Sequence, residues 1–199
     1  MDSVPDADAE LMLRVKRGDR EAFQILLQRH APAVLNLVAR ILQDPVEAED
    51  ITQAVFVQVW KSATRYKPTA PFRTWLFTIA RNLCLNELRR RARHPAEPLE
   101  PSSPEPDTPV RTLPDLHAPP PTETLLQAEL EAKIEEAIAA LPENQRTALL
   151  LCRQGDWSYE DIARVLGCSV SATKSLIFRA RETLKRRLKP YLRSGSWTP

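Results

Sequence analysis

Ten of the chain's 18 prolines fall between His94 and Thr124, in a stretch with no glycine, six acids and a single Lys or Arg, Arg111. Proline removes a backbone donor and clashes with the preceding turn, so no helix passes through such a run. The segment predicts an extended, semi-rigid strap. It divides the 199 residues into two bodies that must each close a core, and a hydrophobic content of 43% suffices for both. The expected fold is all-α: two small helical domains, residues 6–93 and 122–192, joined by a Pro-rich linker over 94–121.

Before the strap the pattern predicts four helices and no strands. The first runs from about Asp6 to Arg17 and stops at Gly18. The second, Arg20 to Leu42, carries Phe23, Leu26, Leu27, Leu35, Leu37, Val38 and Ile41, with Pro32 placed to kink it. Asp44 is a good N-cap for the third, Pro45 suits its first turn, and Glu47 completes a box-like start. Ile51, Val55, Phe56, Val59 and Trp60 then recur at helical spacing. Tyr66 to Pro71 reads as a loop that leaves Tyr66 exposed. The fourth helix, Phe72 to Arg93, sets Phe72, Trp75, Leu76, Ile79, Ala80 and Leu83 on one face and ends in bare arginine.

After the strap, Leu125, Leu126, Leu130, Ile134, Ile138 and Leu141 mark a fifth helix, and Pro142 opens a sixth to about Arg153. Ser158 with Asp161 three positions on is a reciprocal capping pattern with Asp in place of Glu. Gly167 supplies a left-handed stop, and Ser169 caps a last helix toward Leu192. Two helices joined by a short glycine-containing turn form a helix-turn-helix, whose second helix enters a DNA major groove. From Lys174 to Arg193 that helix holds eight Lys and Arg against Glu182 alone, a net of +7. Such a surface suits a phosphate backbone.

The first half segregates its charge. Asp44 to Trp60 contains four acids and no base, whereas Lys61 to Arg93 contains nine bases and only Glu87 as an acid. A solvated face normally mixes signs. One surface therefore suits a protein partner and its neighbour nucleic acid. Trp60, Tyr66, Phe72, Trp75 and Phe77 interleave with the basic residues and can stack on unpaired nucleotides, while Phe72 and Trp75 can equally fill the core of a small helical domain.

Other chemistry is hard to find. Cys84, Cys152 and Cys168 are odd in number and widely spaced, which argues against a disulfide framework or a cysteine zinc site and fits a reducing cytoplasm. No metal-ligand spacing, phosphate-cradling glycine loop or nucleophile–base pair is present. His30, His94 and His117 stand alone, so neither a catalytic residue nor a metal or other cofactor is expected. The acidic start, MDSVPDADAE, lacks a signal-peptide layout, and no apolar run approaches the roughly 20 residues of a membrane span.

The run DPVEAEDITQAVFVQVWKSATRYKPTAPFRTWLFTIARNLCLNELRRRAR, Asp44 to Arg93, resembles the second conserved region of the extracytoplasmic-function sigma factors of bacterial RNA polymerase. LPENQRTALLLCRQGDWSYEDIARVLGCSVSATKSLIFRARETL, Leu141 to Leu184, resembles their fourth. The resemblance implies a subunit that binds core RNA polymerase and directs promoter-specific initiation without being an enzyme. It implies that Glu49, Asp50, Gln53, Phe56 and Trp60 dock on the clamp helices of the largest polymerase subunit. The loop Tyr66 to Pro71 is then expected to capture a flipped base of the −10 element. Lys61, Tyr66, Lys67, Arg73, Arg81, Asn82, Asn86, Arg89 and Arg90 would hold the adjacent strand. Ser158, Tyr159, Val170, Ser171, Lys174, Ser175, Phe178 and Arg179 would read the −35 element. Leu176 stands where many relatives carry an arginine, so that backbone contact is not carried over.

The resemblance also implies an anti-sigma factor as partner and a cytoplasmic location. A strap of roughly 30 residues at about 3 Å each could reach about 90 Å. Elements some 17 base pairs apart lie about 58 Å from each other along B-DNA. The strap is long enough, and its acids are expected to run through the polymerase's RNA channel. Two further readings stay open on the residues alone. An autonomous operator-binding regulator leaves the acidic third helix unexplained. A nucleic-acid enzyme needs clustered carboxylates or histidines near the basic surface, where only Glu87 stands.

Overall fold

A computed structural model describes residues 6–93 and 121–194. Among these residues there are eight α-helices and no strand: α1 (Ala7–Val15), α2 (Arg20–Leu42), α3 (Pro45–Ser62), α4 (Phe72–Arg93), α5 (Pro121–Ala139), α6 (Glu143–Arg153), α7 (Tyr159–Leu166) and α8 (Val170–Ser194). The strap up to residue 120 and its expected path lie outside the described residues; Pro121 and, of the six acids, Glu123 belong to the start of α5.

The helix starts follow the capping chemistry. Asp6, Asp19 and Asp44 each accept a backbone N–H in the first turn of α1, α2 and α3. α2 runs from Arg20 to Leu42 as one helix with Pro32 inside it, and it stops where Gln43 turns left-handed, at φ 57°. In the helix-turn-helix, Ser158 Oγ accepts Asp161 N–H at 3.0 Å and donates its own proton to Asp161 Oδ2 at 2.6 Å. Asp161 thus answers the cap through the serine hydroxyl rather than a backbone N–H. Gly167, at φ 65°, ends α7, a backbone that a residue with a Cβ adopts only with strain.

The first body packs α2 against α1, α3 and α4 over a core that includes Met12, Leu26, Leu37, Ile41, Val55, Val59, Phe72 and Leu76. The second packs α6, α7 and α8 around Leu141, Leu151, Ile162, Ile177 and Ala180, with α5 laid along α8.

The two bodies do not stand apart. α4 packs on α7, and α2 on α6, so the cores merge into one buried cluster. Thr74 Oγ1 donates to Asp161 Oδ1 across this seam at 3.1 Å, and Phe77 meets Trp157 edge-on with ring centroids 5.2 Å apart. Arg146 bridges two helix ends: its guanidinium donates to Ile41 O at 2.9 Å, Ala139 O at 2.6 Å and Leu141 O at 2.9 Å. Carbonyls at a helix C-terminus lack intrahelical partners, and one half-buried cation here supplies donors for α2 and α5 together.

Candidate nucleic-acid interface

α8 presents its polar face openly. Ser171, Lys174, Ser175, Phe178 and Arg179 are exposed, Phe178 by 65%, and Val170 is half-buried. The opposite face goes inward through Thr173, Ile177 and Ala180. Ser169 Oγ caps the helix by accepting Ala172 N–H at 3.1 Å. Lys174 Nζ sits 5.4 Å from the Tyr159 ring centroid, which ties the start of α7 to the open face of α8. Ser158 and Tyr159 are both exposed at that start. Leu176, the departure from the common arginine, is half-buried against the core. An apolar side chain there extends the packing.

The α4 face is more complicated. Asn82, Asn86, Arg89 and Arg90 are exposed, as are Lys61 and Lys67. Arg89 donates to Asn86 Oδ1 at 3.3 Å. Arg90 and Arg91 converge on Glu87, at 2.6 and 3.1 Å, and Arg91 also reaches Asp44 at 3.1 Å. Glu87 is only 7% exposed, and the hydrogen bonds from Arg90 chiefly, then Arg91, hold its carboxyl below the usual range. The lone acid in the basic stretch therefore organises the arginine end of α4.

Tyr66, Arg81 and Phe77, expected to meet nucleic acid, are not at the surface, Phe77 being 2% exposed against Trp157. Tyr66 is 1% exposed, its ring against Trp75 at 4.9 Å and Phe72 at 6.3 Å. Burial, with Asp6 and Asp8 nearby, pushes its hydroxyl up to about 12. A phenol ring stabilises more by filling the space beneath the loop than by standing in water, so the exposed tip is Lys67, Pro68 and Thr69. Arg81 is 8% exposed and lies in the seam. One Nη donates to Asn144 Oδ1 at 2.6 Å and to Glu143 Oε2 at 3.4 Å, while Nε faces Glu143 Oε1 at 3.3 Å without hydrogen-bond geometry. Arg73 is half-buried nearby, its guanidinium 4.8 Å from the Trp157 ring centroid.

Thr74, Phe77, Arg81 and Cys84 thus form a second buried stripe on α4, at helical spacing. Two of the four are polar, which hid the stripe from a hydrophobic pattern. Two further residues went unnoticed in the sequence, Asp6 and Lys16. Asp6 Oδ2 accepts Phe72 N–H at 2.6 Å, and Lys16 Nζ donates to Tyr66 O at 3.0 Å. Only a helix-start signal at Asp6 was legible.

On α3, Glu49, Asp50 and Gln53 are exposed and Trp60 is 39% exposed. Phe23, Leu27, Gln53, Phe56, Val57, Trp60 and Lys61 line an apolar cleft of about 370 Å³. Phe56, expected among the docking side chains, is only 4% exposed. Its ring belongs to the core beneath the cleft, while Trp60 and Val57 form the accessible rim.

Among the described residues no group of His, Cys, Asp and Glu could hold a metal ion, and no helix is long and apolar enough to cross a membrane. His30 is not alone: its Nε2 lies 2.8 Å from Asp8 Oδ2 and its ring packs on Phe72. Burial, reinforced by Glu143, pushes the Cys84 thiol up to about 12, leaving it a packing group rather than a nucleophile.

A helix-turn-helix with an open basic reading face, joined to a second basic helical body with an apolar cleft, defines a DNA-binding protein built to engage a protein partner as well. Residues 26–94 match Sigma-70 region 2 and residues 131–184 match Sigma-70, region 4. The RNA polymerase sigma-H factor of Pseudomonas aeruginosa is 36% identical, over 96% of this chain and 98% of its own length. The ECF RNA polymerase sigma-E factor of Escherichia coli K12 is 30% identical over 94% of this chain and 96% of its own. Among solved structures, CnrH in complex with the cytosolic domain of CnrY aligns with a TM-score of 0.68 at 26% identity, covering 93% of this chain and 99% of that one. The sigma factor RpoE in complex with the anti-sigma factor NepR, from Bartonella quintana, aligns at 0.62 and 25% identity, covering 84% and 96%. The chain belongs to the sigma-70 family, among the ECF RNA polymerase sigma factors. It is a DNA-binding transcription-initiation factor and not an enzyme.

Proposed function

We propose that the chain divides promoter recognition between its two bodies. Residues 6–93 bind core polymerase and hold the melted −10 strand, residues 122–192 read the −35 duplex, and residues 94–121 tether them. The observation that carries this reading is the coexistence of two separate basic faces, one on α8 and one on α4, with an apolar cleft on α3. On α8, Lys174 and Arg179 can donate to guanine O6 and N7 or to phosphate, and Phe178 can meet a thymine methyl. The N–H groups at the start of α7, beside Ser158 and Tyr159, suit a phosphate. On α4, Asn82 and Asn86 offer amides to unpaired bases, while Arg73, Arg89, Arg90, Lys61 and Lys67 serve the backbone. The tip of loop 66–71 receives the flipped base, with Tyr66 supporting it from below.

Core polymerase docks through its clamp helices on α3, where Glu49, Asp50 and Gln53 supply the polar rim and Trp60 the anchor. Phe56 shapes the cleft floor. The chain works in the cytoplasm, where core polymerase is found. Both aligned structures carry a protein partner, and we place an anti-sigma factor over the same cleft or over α8.

Runoff transcription on a genomic fragment library, with purified core polymerase and this chain, tests the reading. Discrete start sites preceded by two shared sequence blocks are expected. Trp60→Ala is expected to weaken core binding about tenfold or more, as loss of a buried aromatic anchor does, with unchanged helix content. Absence of any discrete start site with the unaltered chain would end the proposal.

A further inference from the structure

We infer that Asp6 and Lys16, at the two ends of the first helix, are positioning residues that set which base the loop between Tyr66 and Phe72 accepts. The inference rests on the proposed role of that loop and goes beyond it, because neither residue lies on a nucleic-acid face. Asp6 uses both carboxylate oxygens. Oδ1 caps α1, accepting Asp8 N–H at 3.1 Å and Ala9 N–H at 3.2 Å, while Oδ2 accepts Phe72 N–H at 2.6 Å, 66 residues along the chain. Phe72 N–H is one of the unpaired donors at the start of α4, so this bond fixes where the loop becomes helix. At the other side, Lys16 Nζ holds Tyr66 O at 3.0 Å.

Both hinges of the loop are thus fastened to one rigid rod. Ten residues of helix separate the fasteners by about 15 Å at 1.5 Å per residue. The rod itself is anchored: Asp8 pairs with Arg29 and with His30 of α2, and the His30 ring packs on Phe72. Between the hinges, Lys67, Pro68 and Thr69 stay exposed, and Thr69 N–H closes a tight turn onto Lys67 O at 2.8 Å. A free tip on a fixed frame is what discrimination requires, because a recognition site loses selectivity when its supports loosen by a fraction of an ångström.

Asp6→Asn separates positioning from folding. Asparagine caps a helix about as well as aspartate. Its second arm, however, is an NH₂ donor facing the Phe72 N–H, so one side chain cannot keep both contacts. Lys16→Met removes the Tyr66 contact and keeps most of the stem. Glu10→Gln is the control: it removes a charge from an exposed position on the same helix and leaves both fasteners and the Asp8 anchor in place.

The experiment uses the full chain bound to core polymerase, with a pool of randomised single-stranded DNA 12-mers selected and sequenced. In Asp6→Asn and Lys16→Met, the preference for the best base over the next, at the position served by the loop, is expected to fall roughly tenfold, as small misplacements typically cost. Neighbouring positions and core affinity stay unchanged, both variants remain folded by helix content, and Glu10→Gln keeps the full preference. An unaltered profile in folded Asp6→Asn and Lys16→Met overturns the inference, as does an equal loss at every position shared with Glu10→Gln. A wild-type chain with no base preference, indifferent to Thr69→Ala, would take down the reading of the loop itself and this inference with it.

Discussion

α4 and α8 are both long basic helices with a proposed role at nucleic acid, yet the molecule treats them differently. α8 buries one stripe and leaves the other to solvent, with Lys174, Ser175, Phe178 and Arg179 all accessible. α4 is buried on two sides: Phe72, Leu76 and Ala80 face its own body, and Thr74, Phe77, Arg81 and Cys84 lie in the seam. A helix at the edge of a fold can give a whole face to a ligand. One at the centre shares its surface between ligand and packing, and Arg81 falls in the shared part. In the closed arrangement the face proposed to read duplex is open, whereas one cation of the face proposed to hold the melted strand is occupied by Asn144 and Glu143.

The largest test of this contrast removes the bridge that holds the bodies together. Arg146→Met leaves the carbonyls of Ile41, Ala139 and Leu141 without their donor, and is expected to cost about 2–4 kcal/mol in denaturant unfolding. A change under about 0.5 kcal/mol would mean that the seam contributes little to stability, since surface changes stay within that range.

Next come Lys174→Ala and Arg179→Ala. Each is expected to weaken binding of −35 duplex by about 1–3 kcal/mol while the melting midpoint stays fixed, because both side chains are exposed. Equal loss on −10 single strands would erase the proposed division of labour.

Smaller still is the effect of freeing Arg81. The double variant Glu143→Gln, Asn144→Ala removes its seam partners without touching α4. Affinity of the free chain for −10 strand should rise by about 1 kcal/mol, roughly fivefold, the value of one regained phosphate or base contact. Duplex affinity for the −35 element serves as the internal control.

The smallest expected effect concerns the arginine end of α4. Glu87 has its carboxyl pKa lowered in the fold, so its stabilisation is present above the unfolded carboxylate value and disappears as pH falls through the lower folded value. Glu87→Gln should cost about 1 kcal/mol at pH 7 and almost nothing once wild-type Glu87 is itself protonated. Urea midpoints against pH measure this. A cost that persists into acid would assign the role of Glu87 to packing instead of charge.

Much of the fold was legible because local chemistry dictated it. Asp44, Ser158, Ser169 and Gly167 start and stop helices through bonds within four or five residues. The α8 face was legible for the same reason: helical periodicity sorts Thr173, Ile177 and Ala180 from Lys174, Phe178 and Arg179. The candidate site on α4 was less so. Tyr66 read as a loop residue and Arg81 as a surface cation, since nothing near either in sequence announces Trp75 above one or Asn144 beside the other. Phe56 sits on the helical stripe that also carries Trp60, and periodicity could not say which of them closes the core and which forms the rim.

The sequence by itself determined two helical bodies, their caps, the segregation of charge and the open reading helix, because each depends on contacts within a few turns. Tertiary structure alone decided that α4 is buried twice, that Arg146 serves two helix ends, and that Asp6 and Lys16 fasten a loop 50 to 66 residues away. Those outcomes depend on which surfaces meet, and a one-dimensional pattern records only which surfaces exist.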